Sequence, residues 1–349
     1  MVSSSVRLSV LDLIPVRSNQ TSADAVAASI GLAKRADELG YTRYWVAEHH
    51  NMPSVASTNP AVLIGILAAN TERIRVGSGG VMLPNHAPLV VAEQFGILEA
   101  AYPGRIDLGI GRAPGSDPVI TSLLRQTGTT SDVDSFPNHI TDIRSLLHPD
   151  GAGLRLTSGQ LYELRATPNA ASSPEIWLLG SSDYSARLAA GLGLPYVFAH
   201  HFSGGSTTAA LELYRQSFQA SDTLAEPRTF LTLNVSVADT ADEALALALP
   251  QLQHMARLRT GQPLTAVATV EEAAAYQLTP AQQQVVDGML QSWVIGEPKA
   301  AATRVRELAA TFGVDEVMVS PAASAAASAD PRTSPGRDRS LELLAAELL

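Results

Sequence analysis

Two hydrophobic periods take turns along this chain. "RLSVLD" (7 to 12) is a short β-rich run, and "SADAVAASIGLAKRADELG" follows it with Val26, Ile30, Ala33 and Ala36 on one helical face and Gly40 as the stop. "RYWVAE" (43 to 48) predicts a second strand. Asn59 and Pro60 supply a cap and first turn for the helix "AVLIGILAANT", and "RIRVGSGGVML" predicts the third strand. Pro88 opens the helix "LVVAEQFGILEAA", after which "RIDLGIG" (105 to 111) predicts the fourth. "EIWLLG" (175 to 180), "PYVFA" (195 to 199), "TFLTLNVSVA" (229 to 238) and "DEVMVS" (315 to 320) complete a set of eight, with helical segments between them. Eight strands each followed by a helix predict an α/β protein built as a closed (β/α)8 TIM barrel, not an open doubly wound sheet. One domain spanning 1–349 is the expectation.

Three stretches exceed an ordinary βα unit. Residues 113 to 174, after strand four, contain "LRLTSGQLYELR", which alternates on both sides of Ser158 and Gly159 and predicts a hairpin. Residues 250 to 290, after strand seven, are rich in Gln, Ala and Thr and read as an insertion that forms a lid. "PAASAAASADPRTSPGRD" reads as a mobile low-complexity stretch before a last helix, "SLELLAAELL".

Composition narrows the function. Of 349 residues, 46% are hydrophobic and 17% charged, enough apolar surface for a sizeable core and unlike a disordered chain. A net charge of −10 with no clustered Lys and Arg argues against nucleic acid as a partner. There is no cysteine, which removes thiolate ligands and thiol nucleophiles. "MVSSSVRLSVLDLIPV" lacks a cationic segment ahead of a long apolar one, and no apolar run approaches a membrane span, so a cytoplasmic enzyme without a membrane partner is expected.

Active sites of such barrels lie at the C-terminal ends of the strands. Those points carry Asp12, "EHH" (48 to 50), "GSGG" (77 to 80), "GIGRAPG" (109 to 115), "GSS" (180 to 182), "AHHF" (199 to 202), Asn234 and Ser320. Imidazoles from His49, His50, His200 and His201 suit a metal, but neighbours on a strand face opposite ways, so each pair offers one ring inward. No metal is expected. "LLGSSDYSARLAAGLG" runs from a strand straight into a helix, leaving Ser181 or Ser182 at the N-cap, Ser185 one turn in and Arg112 on the neighbouring strand: an anion site. An ordinary capped turn accounts for the same residues. Gly79 and Gly80 inside a strand mark either a bulge or a surface against which a flat ligand lies. His86 reads equally as a helix-entry hydrogen bonder and as a ligand.

Together "YWVAEHH", "IRVGSGGVMLPNHAPLVVAEQ", "GRIDLGIGRAPG", "LLGSSDYSARLAAGLGLPYVFAHHF" and "VIGEPKAAATRVRELAATFGVDEVMV" resemble, in order and over nearly the whole chain, the bacterial luciferase-like flavin monooxygenases. The resemblance is nearest to the branch of actinobacterial tailoring enzymes that includes an aromatic-polyketide monooxygenase of antibiotic biosynthesis. It implies a two-component enzyme that takes FMN as FMNH2 from a separate NAD(P)H-dependent flavin reductase. Oxygen would react through a flavin C4a hydroperoxide to epoxidise or hydroxylate a hydrophobic substrate. It also implies a homodimer. By position, His49 matches the catalytic histidine with His50 beside it, and Glu48 and His50 are expected to support or orient His49. Gly79 and Gly80 match a cis peptide against the flavin ring. Arg112, Ser181, Ser182 and Ser185 match the FMN phosphate site, although a Glu-Ser pair is usual where Ser181-Ser182 stand. Gly111 replaces a reactive cysteine, and the segment after strand seven matches a loop that excludes water. A histidine suits proton transfer because it titrates near neutrality. Three other readings remain: a deazaflavin-dependent hydride-transfer enzyme, a metal-dependent hydrolase and a non-catalytic flavin-binding barrel.

Overall fold

The computed structural model describes residues 6–125, 133–202 and 204–349. Residues 1–5, at the start of "MVSSSVRLSVLDLIPV", 126–132, inside the predicted excursion, and 203 lie outside them.

Eight parallel strands close on themselves. They are β1 (Arg7–Asp12), β2 (Arg43–Val46), β3 (Arg75–Ser78), β5 (Ile106–Gly111), β8 (Glu175–Gly180), β9 (Tyr196–Phe198), β10 (Thr229–Val237) and β12 (Glu316–Pro321), and β12 returns to pair with β1. The predicted (β/α)8 barrel is therefore the fold. Between the strands lie α1 (Ser22–Leu39), α2 (Pro60–Ala68), α3 (Pro88–Ala101), α6 (Asp183–Gly191), α7 (Thr207–Ser217), α8 (Ala241–Arg259) and α11 (Pro298–Phe312), and α12 (Pro335–Leu348) follows the last strand. Caps set their ends. Thr21 and Asp24 form a capping box on α1, Gly40 closes it with a left-handed φ of 86°, and the Asn59 side chain accepts from Val62 N at 3.3 Å ahead of Pro60.

The third predicted strand is interrupted. It pairs as β3 and then as β4 (Val81–Met82), with Gly79 and Gly80 between them. The excursion after β5 holds α4 (Pro118–Arg125), α5 (Phe136–Leu147) and the predicted hairpin, β6 (Ala152–Arg155) antiparallel to β7 (Leu161–Leu164). After β10 the segment read as a lid is helical. It comprises the second half of α8, then α9 (Val270–Ala275) and α10 (Pro280–Ser292), fastened by a cluster around Leu252, Val286, Met289 and Trp293, and it leads into the unpredicted strand β11 (Val294–Gly296). The low-complexity stretch read as mobile is packed instead. Ala323 and Ala325 are buried, Ser324 N donates to Leu247 O at 2.8 Å, and Arg17 Nη1 donates to Thr333 O at 3.1 Å.

Strand alternation sorts the remaining side chains. Leu8, Val10, Tyr44, Val46, Leu108 and Ile110 point outward into the core shared with the helices. Leu11, Trp45, Trp177, Val197, Phe230 and Met318 point inward and fill the barrel with one cluster, its three large rings in edge-on or tilted contact at 5.0 to 5.7 Å. Beneath that layer Arg43 bonds Glu316 at 2.7 Å, Asp107 at 2.9 Å and Glu175 at 3.2 Å, and all but Glu175 are buried. Burial works against the Arg43 charge, and Asp107, Glu316 and Glu175 outweigh it, raising its pKa above the ordinary value. Above the aromatic layer most inward positions turn small: Ala47, Gly79, Gly111, Ala199, Thr232 and Ser320, with Leu13 and Leu179 the large exceptions. The barrel is thus plugged below and more open on the side of those small residues at its C-terminal mouth.

Candidate active site

The segment that follows β2 divides its polar groups between two faces. Because Trp45 is inside and Val46 outside, His49 turns to the mouth, whereas Glu48 and His50 turn away from it. Glu48 is fully buried and accepts from Met82 N at 2.9 Å, from His50 Nε2 at 2.8 Å and from His86 Nε2 at 2.8 Å. Burial pushes the Glu48 pKa up, but the His86, Met82 and His50 contacts outweigh it and hold the carboxyl below its ordinary value. Glu48 therefore ties β2, β4 and the loop before α3 together.

The expected support of His49 by Glu48 and His50 is absent, because the alternation that brings His49 in takes the other two out. No described residue hydrogen-bonds His49 Nδ1, which is buried. The His49 backbone N–H donates to Ser57 O at 3.0 Å. Burial lowers the His49 pKa, with Glu48 opposing and His50 reinforcing the shift, so the ring is held neutral and ready to accept a proton.

Just past β9, in a turn where Phe202 N donates to Ala199 O at 3.1 Å, the two adjacent histidines also part. His200 turns outward, its Nδ1 2.7 Å from Thr207 Oγ1 and its ring 5.2 Å from Phe312. His201 turns inward, its Nδ1 2.9 Å from Thr232 Oγ1, and Asn234 Nδ2 donates to its carbonyl at 2.7 Å. Burial, aided by His200 and His49, pushes the His201 pKa down to about 4. Its ring is only half-buried by surface, as befits a group recessed in a mouth and surrounded by protein. "AHHF" had marked this strand end, but His201 was not among the expected site residues. His201 lies in the turn beyond β9, so strand alternation does not single it out; its contact with Thr232 does.

The opposite side of the mouth is built of backbone. The Gly79–Gly80 peptide is cis; a Cβ on Gly80 would lie 2.8 Å from the backbone oxygen of Gly109, and one on Gly79 would have to displace Leu11 Cδ1 at 2.8 Å. Gly111 pairs with Met82, and a Cβ on it would meet Met82 Sδ at 3.2 Å.

Next to it, the Arg112 guanidinium lies 4.1 Å over the ring of Tyr184, the second residue of α6. Among the described residues Arg112 has no carboxylate partner. Ser182 is the N-cap of α6 in extended conformation, yet its side chain makes no cap bond, and Ser181 is exposed. Ser185 is buried beneath Gly180, donating to Ser182 O at 2.8 Å and lying 3.3 Å from Tyr196 Oη. Arg112, Ser181, Ser182 and the first turn of α6 thus come together, with Asp183 as the one acid in that turn and Ser185 bracing it from below. A guanidinium and uncapped helical N–H groups fit a phosphate. Among the described residues no three His, Asp or Glu side chains converge as metal ligands. No helix among them is long and apolar enough to cross a membrane.

Comparison with known proteins agrees with this geometry. The family model for luciferase-like monooxygenases matches residues 6–316. YvbT of Bacillus subtilis is 44% identical, with 89% of this chain and 90% of that protein covered. A luciferase-like monooxygenase of Escherichia coli is 39% identical, covering 91% and 92%. The crystal structure of apo-MsnO8 superposes with a TM-score of 0.85 over 99% of both chains at 34% identity, so the two are related but distinct proteins. The chain belongs to the luciferase-like monooxygenase family and is a flavin-dependent monooxygenase.

Proposed function

We propose that this chain is the oxygenating component of a two-component system, supplied with FMNH2 by a separate NAD(P)H-dependent flavin reductase. It would transfer one atom of O2 to a hydrophobic substrate by epoxidation or hydroxylation, with aromatic polyketides of antibiotic biosynthesis the first class to try. The observation that carries this reading is the pairing of Arg112, free of any carboxylate among the described residues, with the uncapped N-terminus of α6 beside a side-chain-free glycine surface. That arrangement suits a molecule with a phosphate at one end and a flat ring at the other.

When bound, FMN supplies the oxygen activation. Arg112, Ser181, Ser182 and the N–H groups of α6 hold its phosphate, with Ser185 fixing the turn. Gly79, Gly80 and Gly111 admit its ring. His49, the histidine of its segment that faces the mouth, would accept a proton there and return it. His50, locked to Glu48, shapes the wall behind it. The α8–α10 segment excludes water, and Arg259 of α8 reaches the β9 loop by donating to Phe202 O at 2.9 Å.

The protein is also proposed to act as a homodimer. Val62 and Ile66 of α2 and Leu89, Val90 and Ile97 of α3 are exposed on adjacent helices, and an apolar face of that kind suits a second copy. Val62→Lys is expected to shift the mass in sedimentation from two chains to one.

The functional test mixes the purified protein with photoreduced FMN and oxygen and follows absorbance in a stopped-flow instrument. A transient species distinct from reduced and oxidised FMN is expected. Flavin oxidation at the rate seen without protein overturns the proposal.

A further inference from the structure

The hydroxyl of Thr232 has three neighbours and one proton. Thr232 Oγ1 lies 3.2 Å from Phe198 O, 3.3 Å from the His201 backbone N and 2.9 Å from His201 Nδ1. A hydroxyl donates once and accepts twice. All three contacts are satisfied together only if the proton goes to Phe198 O and both lone pairs receive N–H groups from His201. If the proton went to Nδ1 instead, the Phe198 contact would be lost. Thr232 is buried and inward-facing on β10, two residues beyond Phe230 of the aromatic layer, so its position is fixed by the barrel and not by a loop. The ring of His201 is also neutral: its pKa is pushed down to about 4 by burial, by His200 behind it and by His49 across the mouth.

We propose that His201 is a recognition residue of the site: Thr232 holds its Nδ1–H, and its Nε2, which hydrogen-bonds no described residue, accepts a hydrogen bond from a hydroxyl of the organic substrate. The proposal rests on reading the barrel mouth as the place where flavin and substrate meet. Around that mouth the strands present Ala47, Gly79 and Ala199, with Leu13 and Leu179 packed on the aromatic layer below, so an oriented acceptor beside His49 adds discrimination. A buried acceptor left without a donor is costly, and a substrate bearing O–H is therefore preferred over the same skeleton bearing O–CH3. Thr232 is the positioning residue, because it decides which ring nitrogen carries the proton.

Two measurements on the full-length protein test this, and neither needs turnover, so a failure of the monooxygenase reading leaves both interpretable. The first is the ring 15N spectrum of labelled histidine. His201 is expected as the neutral Nδ1–H tautomer, retained in Thr232→Ser and lost in Thr232→Val; an Nε2–H tautomer in the unaltered protein overturns the proposal. The second compares binding of 1-naphthol and 1-methoxynaphthalene. A preference of about tenfold for the naphthol, the size of one net hydrogen bond, is expected. It should collapse in Thr232→Val and His201→Phe and survive in Thr232→Ser. A preference unchanged in both damaging variants overturns the proposal. So does a loss of reduced-FMN affinity in those variants without any change in the naphthol preference, because the donor would then belong to the flavin.

Discussion

The two ends of the barrel use polar residues for opposite purposes. At the N-terminal end Arg43, Arg75 and Arg228 meet Asp107, Glu175 and Glu316, cation for anion, and Trp45 Nε1 and Ser9 Oγ donate to two of the acids at 2.8 and 2.7 Å. The charges there are spent on one another. At the C-terminal end burial lowers the pKa of both His49 and His201, one with a buried nitrogen that no described residue hydrogen-bonds, and Arg112 stacks on a ring with no carboxylate partner among the described residues. A satisfied network specifies one structure, whereas capacity left over is what a ligand can use. Perturbed and unpartnered polar groups occur at both ends, Arg228 Nε among the lower ones, so neither alone marks the site; their gathering with Arg112 and the first turn of α6 at one rim does.

Breaking the lower network should give the largest change in stability and the smallest in chemistry. Arg43→Met leaves Asp107 and Glu316 buried without their main counter-charge and is expected to cost about 3–5 kcal/mol. Urea unfolding measures it, and turnover per folded molecule should be unchanged. A variant as stable as the parent would mean that Arg75 on Asp107 and Arg7 on Glu316 suffice to hold the acids.

The mirror experiment is at the rim. His49→Asn is expected to lower turnover at least about a hundredfold, the usual size of a lost general base, while urea unfolding moves by less than about 1 kcal/mol because no hydrogen bond of the ring is broken. Equal loss of stability and turnover would erase the contrast between the two ends.

The same contrast explains which parts were legible in the sequence. All eight barrel strands were readable because parallel strands buried on both faces are runs of Val, Ile and Leu bounded by turn residues. Their C-terminal ends then listed the rim. Three things escaped. The stretch from Pro321 onward looked mobile because composition cannot tell alanines that are small and packed, such as Ala323 and Ala325, from alanines that are small and solvated. Glu48 was paired with the wrong histidine because sequence adjacency suggested a contact that strand alternation forbids. Thr232 was invisible as a partner of His201, 31 residues away, because the register of β10 on β9 and the turn after β9, not the strand order, set that contact.

A pH titration of stability sharpens the comparison further. His201 and His254 both have folded pKa values near 4, lowered chiefly by burial, against about 6.5 when unfolded. A depressed histidine binds its proton in the unfolded chain first, so its contribution is present above pH 6.5 and is lost as pH falls toward 4. Unfolding near pH 5 is expected to take up about two protons, one for each ring. His201→Phe should remove about half of that slope. The slope is measured from urea midpoints between pH 7 and pH 4.5, and one that His201→Phe leaves unchanged would place the ring in a solvated rim.

The smallest effect separates two helix starts that look alike in sequence. Thr21 and Ser182 both occupy N-cap positions, but Thr21 accepts from Asp24 N at 3.2 Å, whereas Ser182 makes no side-chain cap bond. Thr21→Ala should therefore cost about 1 kcal/mol of unfolding free energy, and Ser182→Ala only a few tenths. If the first turn of α6 is kept uncapped for a phosphate, Ser182→Ala should instead weaken FMN binding in a fluorescence titration severalfold, with Thr21→Ala leaving that affinity alone. The opposite pattern, a destabilised α6 with unchanged FMN affinity, would make Ser182 an ordinary cap and move the phosphate site elsewhere on the rim.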